Sequence, residues 1–245
     1  MSEGKKQGWA EDYNVHGVMP SLVAAAHELK SPLVLARQLG FMLQSDDLSN
    51  SERHVLTQQL ILTTERGLRL TNDLTKAARL EDALFELEPI NPVALCEDIV
   101  REMTPLFAAH QRKLALKTRK HPLLLVANRD LLRRIVMNFS DNALHYSEAG
   151  SAVEVQIAAL QRGRIIRLGV RDYGPALSTD MWQSLQAKLG KATQPIHARP
   201  QSSGLGLYIA GLFAETMNGK IGVVRHRDGA TFYVELDASR QLSLL

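Results

Sequence analysis

Apolar positions in the first eighty residues recur at alternating steps of four and three. From about Met19 to Leu43 the stripe runs through Leu22, Ala26, Leu29, Leu33, Ala36, Gly40 and Leu43. From about Ser51 to Glu86 it returns at Leu56, Leu60, Thr63, Gly67, Leu70, Leu74 and Ala77. A stripe of this period lies along one side of an α-helix and needs another helix to cover it. The polar stretch Ser45-Asp46-Asp47-Leu48-Ser49-Asn50-Ser51 separates the two and offers capping side chains. Two long helices and a short loop make a helical hairpin. Such a hairpin has too little core of its own, so two copies are expected to pair as a dimeric four-helix bundle.

Beyond Glu88-Pro89 the pattern changes to shorter segments of both kinds. Asn91-Pro92 suits a helix start, with Asn as cap and Pro in the first turn, and that helix is predicted to reach about His110. Strands are predicted at 114–118 and 123–127, a helix at about 129–145, and strands at 152–158 and 164–171 around the turn Gln161-Arg162-Gly163. Residues 175–203, with Gly190, Pro195 and Pro200, read as irregular. A helix from about Gly204 should stop at Asn218-Gly219, and a hairpin should turn near Asp228-Gly229. The fold class expected is α+β. It divides into a loose N-terminal segment at 1–18, a helical hairpin at 19–87, and a two-layer α/β sandwich at 88–240.

Composition narrows the picture only a little. Hydrophobic residues make up 45% and charged residues 22%, enough for a sizeable core. A net charge of +3 is too mild to argue for nucleic acid, and the basic run from Arg112 to Lys120 reads as a solvated strand edge. The single cysteine, Cys96, rules out an intramolecular disulfide and sits where a small core residue is expected. No stretch approaches the ~18 apolar residues of a membrane span, and the first twenty residues lack a signal-peptide pattern, so a cytoplasmic location is expected.

Four short strings carry candidate chemistry. In His27-Glu28-Leu29-Lys30-Ser31-Pro32-Leu33 the histidine falls off the apolar stripe, and Ser31, four residues on, shares its outward face. A neutral imidazole, with a usual pKa of about 6.5, is a nucleophile near neutral pH, and an adjacent carboxylate can fix its tautomer. Asn138, Asn142 and His145 are spaced four and three, so they are expected on one helix face. An amide oxygen there is a hard neutral ligand suited to Mg²⁺ beside phosphate oxygens. In Asp172-Tyr173-Gly174 a carboxylate closes a strand, where it can accept the amino proton of adenine, and Gly174 allows close backbone approach. Gly204-Leu205-Gly206-Leu207 opens a predicted helix, whose free N–H groups favour phosphate. No Walker-type string is present.

In this order the four strings resemble those of the sensor histidine kinases of two-component systems, over roughly residues 19–237. The resemblance implies an ATP-dependent protein histidine kinase that autophosphorylates His27, with Glu28 orienting the ring, and then passes the phosphoryl group to an aspartate of a response-regulator receiver domain. It assigns Mg²⁺ to Asn142. It assigns nucleotide contacts to Asn138, His145, Tyr146, Asp172, Gly174, Gly204, Leu205, Gly206 and Leu207. By the same resemblance, Ser31 positions water when the partner is dephosphorylated. The wider superfamily of gyrase, Hsp90 and MutL types carries Glu four residues before the metal-binding Asn, as a base for water. Here that position is Asn138, and an amide cannot take the proton, which favours transfer over hydrolysis. The chain departs from the family pattern at His145, where Lys or Arg is usual, and at Ala176, where Gly is usual. It also departs at Met181-Trp182 and Leu185, in place of a Phe-rich lid motif. Two other readings stay open: a pseudokinase or scaffold that binds receiver domains without turnover, and a net phosphatase that uses Ser31.

Overall fold

The computed structural model describes residues 15–78, 85–118, 123–189 and 205–240. Helices α1 (Val15–Leu43) and α2 (Asn50–Ala78) pack on one another as the expected hairpin. Their connection is fixed by local chemistry. Ser49 Oγ accepts from the Glu52 N–H at 3.2 Å, and the Glu52 carboxylate accepts from the Ser49 N–H at 2.9 Å. This reciprocal capping box ends the loop and starts α2. Arg53 donates to the carbonyls of Leu43 at 2.8 Å and Ser45 at 3.1 Å, answering acceptors left over at the end of α1.

Two boundaries differ from those expected. α1 reaches back to Val15, into the stretch read as loose, because Val15 and Val18 prolong an apolar helical run that the polar residues before it had masked. α2 ends at Ala78, and by Phe85 the chain has left the helix, since Phe85 packs onto the core of the sandwich instead of extending the stripe. Within one chain the stripe is only partly covered. Leu56 is buried, whereas Leu33 is 66% exposed, and Leu39, buried on α1, lies beside the stripe and not on it.

The sandwich is one five-stranded sheet under a layer of helices. Strands β1 (Glu88–Ile90) and β3 (Leu125–Ala127) form a small antiparallel pair, with β2 (Lys113–Thr118) between them in sequence. The main sheet runs β2, β4 (Ala152–Leu160), β5 (Ile165–Arg171), β7 (Gly229–Asp237), β6 (Lys220–His226). Only the β2–β4 pair is parallel. The covering helices are α3 (Pro92–Ala109), α4 (Arg129–Tyr146) and α6 (Leu205–Thr216). Asn91 caps α3 by accepting from the Val93 and Ala94 N–H groups, and Asn128 caps α4 through Leu131. The buried faces of these helices, with Leu95, Ile99 and Phe107 on α3 and Leu132, Ile135 and Phe139 on α4, meet Leu168, Val170, Phe232 and Val234 from alternate sheet positions. Cys96 is a core residue as expected, its thiol pushed up to about 12 by burial and then by Glu97.

The stretch read as irregular holds a helix, α5 (Thr179–Lys188), capped by Ser178 Oγ. Its apolar residues Met181, Trp182 and Leu185 pack on the core, and this short repeat was outweighed in the sequence by the glycine and prolines that follow. Lys113 and Lys117 of the basic run lie on a sheet edge, as β2 is an outer strand, and Arg119 and Lys120 lie outside the described residues, but Arg112 is not merely solvated. Its Nε donates to the Ser147 carbonyl at 2.9 Å and so ties the end of α4 to the start of β2.

The outward face of the sheet carries a cross-strand ion cluster. Glu235 accepts from Arg167 Nε at 2.8 Å and pairs with Lys220 at 3.1 Å. Burial pushes its carboxyl up, but the hydrogen bonds and charges of Arg167 and Lys220 outweigh burial and hold it below the usual range. A depressed carboxylate stabilises the fold above its unfolded pKa of about 4.3, and that contribution is lost as pH falls through the lower folded value. Glu235→Gln should therefore cost about 1–3 kcal/mol at pH 7 and lose less further stability than wild type between about pH 4.5 and 3. Thermal melts across that range check this, and parallel profiles for the two proteins would contradict it.

Candidate active site

Helix α4 is packed on two sides. One side fills the core, and the other carries Arg134, Asn138 and Asn142 at steps of four. With Gly206 of α6 and Arg69 and Asp73 of α2, these three residues line a cavity of about 60 Å³. Asn138 Nδ2 donates to the Gly206 carbonyl at 3.5 Å. Asn142 Nδ2 is buried and has no hydrogen-bond partner. A buried amide with an unused polar atom is costly in a finished core and is the mark of a site that takes a ligand. A Cβ added at Gly206 would meet nothing within 4 Å, so packing does not demand the glycine.

Asp172 lies just past β5 and is 1% exposed. Its backbone N–H donates to the Ala230 carbonyl at 2.9 Å, and its Oδ1 accepts from the Ala230 N–H at 3.2 Å. The β6–β7 turn therefore fixes the orientation of the carboxylate. Gly229, at φ +130°, is needed there because a Cβ would sit 2.3 Å from the Asp172 carbonyl oxygen. Arg171 pairs with Asp228 across the turn and stacks 4.3 Å from the Tyr173 ring. Gly174 does permit a close approach, but to the chain's own backbone. A Cβ there would lie 2.0 Å from the carbonyl oxygen of Tyr146, at the end of α4.

The expected site residues are partly brought together. Asn138, Asn142 and Gly206 share one cavity, and Asp172 is not in its wall. Leu207 is a core residue beside it, and Gly204 and the side chain of Leu205 lie outside the described residues. His145 is not with the amides. It lines a separate groove of about 260 Å³ with Ser31 and Pro32 of α1, and Asp141 borders both spaces. Three residues past Asn142 is about 4.5 Å along the helix axis, which carries His145 to a space bordered by both hairpin helices, with Gln59, Leu62 and Thr63 of α2 beside Ser31 and Pro32 of α1. Tyr146 lines neither space, and its carbonyl is the surface on which Gly174 packs. His27 and Glu28 lie within α1, and their side chains are outside the described residues, so the outward pose expected for the imidazole is outside them too. Ser31 is exposed.

Residues 127–240 match the family of histidine kinase-, DNA gyrase B- and HSP90-like ATPases. The chain is 29% identical over 215 residues to the sensor protein kinase PmrB of Pseudomonas aeruginosa, across 86% of this chain and 43% of that one. These similarities support a sensor histidine kinase of a two-component system. It spans less than half the length of PmrB. Full-length ShkA in complex with AMPPNP is similar at 25% identity and a TM-score of 0.60, over 93% of this kinase chain and 47% of ShkA. Histidine kinase ThkA in complex with the response regulator TrrA shares the fold, at 15% identity and a TM-score of 0.61, over 94% of this chain and 64% of that one. No helix among the described residues is long and apolar enough to cross a membrane.

The sequence reading missed Arg69, Asp73 and Arg134. A signal was present: Arg134 continues the four-residue polar step of the two asparagines, and Arg69 and Asp73 are four apart beside the apolar pair Leu70 and Leu74. The two glycines make contrasting predictions. Gly174→Ala should destabilise the kinase by about 1–3 kcal/mol, whereas Gly206→Ala, with open space around it, should leave stability within about 0.5 kcal/mol or raise it. Denaturant melts of both variants check the contrast, and equal effects would refute the packing described for Gly174.

Proposed function

We propose that this chain is the kinase core of a two-component system and phosphorylates its own His27 from ATP. The observation that carries the reading is the pair Asn138 and Asn142 facing the first turn of α6, with a buried amide nitrogen left unused and no carboxylate at position 138. The donor set fits the cofactor. The Asn142 side-chain oxygen, a hard neutral ligand, would hold Mg²⁺ together with phosphate oxygens, and its unused Nδ2 would donate to phosphate. The ion, when bound, supplies charge neutralisation on the phosphates.

The remaining roles are those that the family resemblance assigns. Asn138 and residues Gly204 to Leu207 would contact phosphate, and Asp172, held by the β7 backbone, would accept from the adenine amino group. Gly174 and Tyr146 would form the joint beside it, and His145 would border the site. On α1, His27 would be the nucleophile, Glu28 would orient its ring, and Ser31 would position water in the reverse reaction on a phosphorylated partner. Positioning and charge neutralisation dominate such a transfer, so a rigid pocket and a mobile hairpin suffice.

The partner would be a receiver domain, to whose aspartate the phosphoryl group passes. The ThkA complex with its response regulator supports this class of partner. We also propose a homodimer through the hairpin of residues 19–87, with residues 88–240 as the catalytic unit. Leu33, Val34, Phe41 and Met42 on α1 and Leu68 on α2 are exposed apolar residues, and a second hairpin would cover them. The single buried thiol suits a reducing, cytoplasmic setting.

Incubation with γ-labelled ATP and Mg²⁺ should give an acid-labile label on the wild type and none on His27→Ala. An unlabelled wild type, or a label that persists in His27→Ala, would contradict the proposal. Asn142→Ala should lower the labelling rate at least ~100-fold, the scale of losing one preorganised electrostatic contact. A scaffold role is favoured instead if the wild type binds receiver domains but takes no label, and the displacement of His145 from the amides is the observation behind that reading.

A further inference from the structure

The cavity walled by the two asparagines has a lid that belongs to the other half of the molecule. Arg69, Leu70 and Asp73 of α2 form one wall, and Arg134, Asn138 and Asn142 of α4 form the opposite one. Asp73 is only 3% exposed, and its Oδ1 lies 3.2 Å from Arg134 Nε. Leu70 packs against the sandwich core. The space left is about 60 Å³. Sites for small organic ligands usually measure about 300–1,000 Å³, so the space between α2 and the amides is too small for a triphosphate while α2 stays where it is.

The chemistry of this contact is that of a substitute ligand. A carboxylate and a phosphate compete for the same guanidinium, because both offer paired anionic oxygens to its N–H groups. Asp73 presents such a carboxylate to Arg134, one helical turn from Asn138. An anionic phosphate beside the asparagines would be repelled by Asp73 and attracted by Arg134. The contact is also imperfect. Arg69 Nε and Asn142 Nδ2 are both buried without a hydrogen-bond partner. A buried ion pair gains little net stability once desolvation is included, and unanswered polar atoms beside it make the closed arrangement easier to leave.

We infer that Asp73 is an internal stand-in for the nucleotide phosphates, so that α2 and nucleotide occupy the α4 amide face in competition. In the closed state Arg134 pairs with Asp73, and in the open state the hairpin moves off and Arg134 pairs with phosphate. Movement of the hairpin would then control access to the pocket, and nucleotide would in turn release the hairpin, since such coupling is reciprocal. This inference rests on the reading of the site as an ATP pocket.

The test is calorimetric binding of the Mg²⁺ complex of a non-hydrolysable ATP analogue to the whole chain. Asp73→Asn removes the carboxylate charge on α2 without touching α4. Leu70→Ala weakens the same contact through its apolar part without adding charge to the cavity, and covers the case in which Asp73→Asn disturbs folding. Both variants should bind the analogue roughly fivefold or more tightly than wild type, a typical allosteric coupling, with helix content by circular dichroism unchanged. Equal or weaker binding by a folded variant, where the wild type binds, overturns the stand-in role and leaves the ATP pocket intact. Absence of binding by the wild type and both variants overturns the pocket itself, and the inference with it.

Discussion

A helix covered on two sides must answer every polar group it carries, and α4 is covered on two sides. Its core face holds nine buried residues from Leu131 to Leu144, which fixes its position over the sheet. Its other face carries Arg134, Asn138 and Asn142, residues that gain nothing from apolar burial. Elsewhere in the sandwich such groups are satisfied locally: Ser140 donates to Val136, and Ser147 to Ala143. On the outer face of α4 the satisfaction is incomplete, with Asn142 Nδ2 and, facing it from α2, Arg69 Nε both buried without a hydrogen-bond partner. The strand ends, the β6–β7 turn and the first turn of α6 are arranged around this one helix.

The joints around α4 are backbone-to-backbone, which explains where the glycines lie. Gly174 packs on the last carbonyl of the helix and Gly229 on Asp172, each at a distance that no side chain allows. Gly219 ends α6 in the same way, donating its N–H to the Ala214 carbonyl at 2.8 Å after Asn218 turns left-handed at φ 55°. These contacts set the distance between strand ends and helix ends more rigidly than side-chain packing can. The Asp172 carboxylate accepts from the Ala230 N–H while the Asp172 backbone N–H donates to the Ala230 carbonyl, so it keeps its direction without a ligand.

Much of this was legible in the sequence because the relevant signals are local. The cap Asn91, the bounds of α4, the stop at Asn218-Gly219 and the hairpin at Asp228-Gly229 lie within one or two residues of their expected places. The two asparagines and the α6 glycine meet because a four-residue step and a helix start both follow from short strings. What was not legible depends on contacts between distant segments. The separation of His145 from the amides depends on how the hairpin lies along α4, with α2 bordering both spaces and α1 only that of His145, and no spacing within α4 encodes that. The pairing of Asp73 with Arg134 joins two helices sixty residues apart in the chain. Helix α5 was hidden because its ten residues were read together with the glycine and prolines after them.

The central claim is that the outer face of α4 takes nucleotide and hairpin in turn. Amide hydrogen exchange of the wild-type chain, with and without the Mg²⁺ complex of a non-hydrolysable ATP analogue, tests it most directly. The account predicts slower exchange at residues 136–142, 171–174 and 205–208, together with faster exchange at 66–74 of α2 as that helix is released. Unchanged exchange along α4, or slower exchange at 66–74 on adding the analogue, would contradict it.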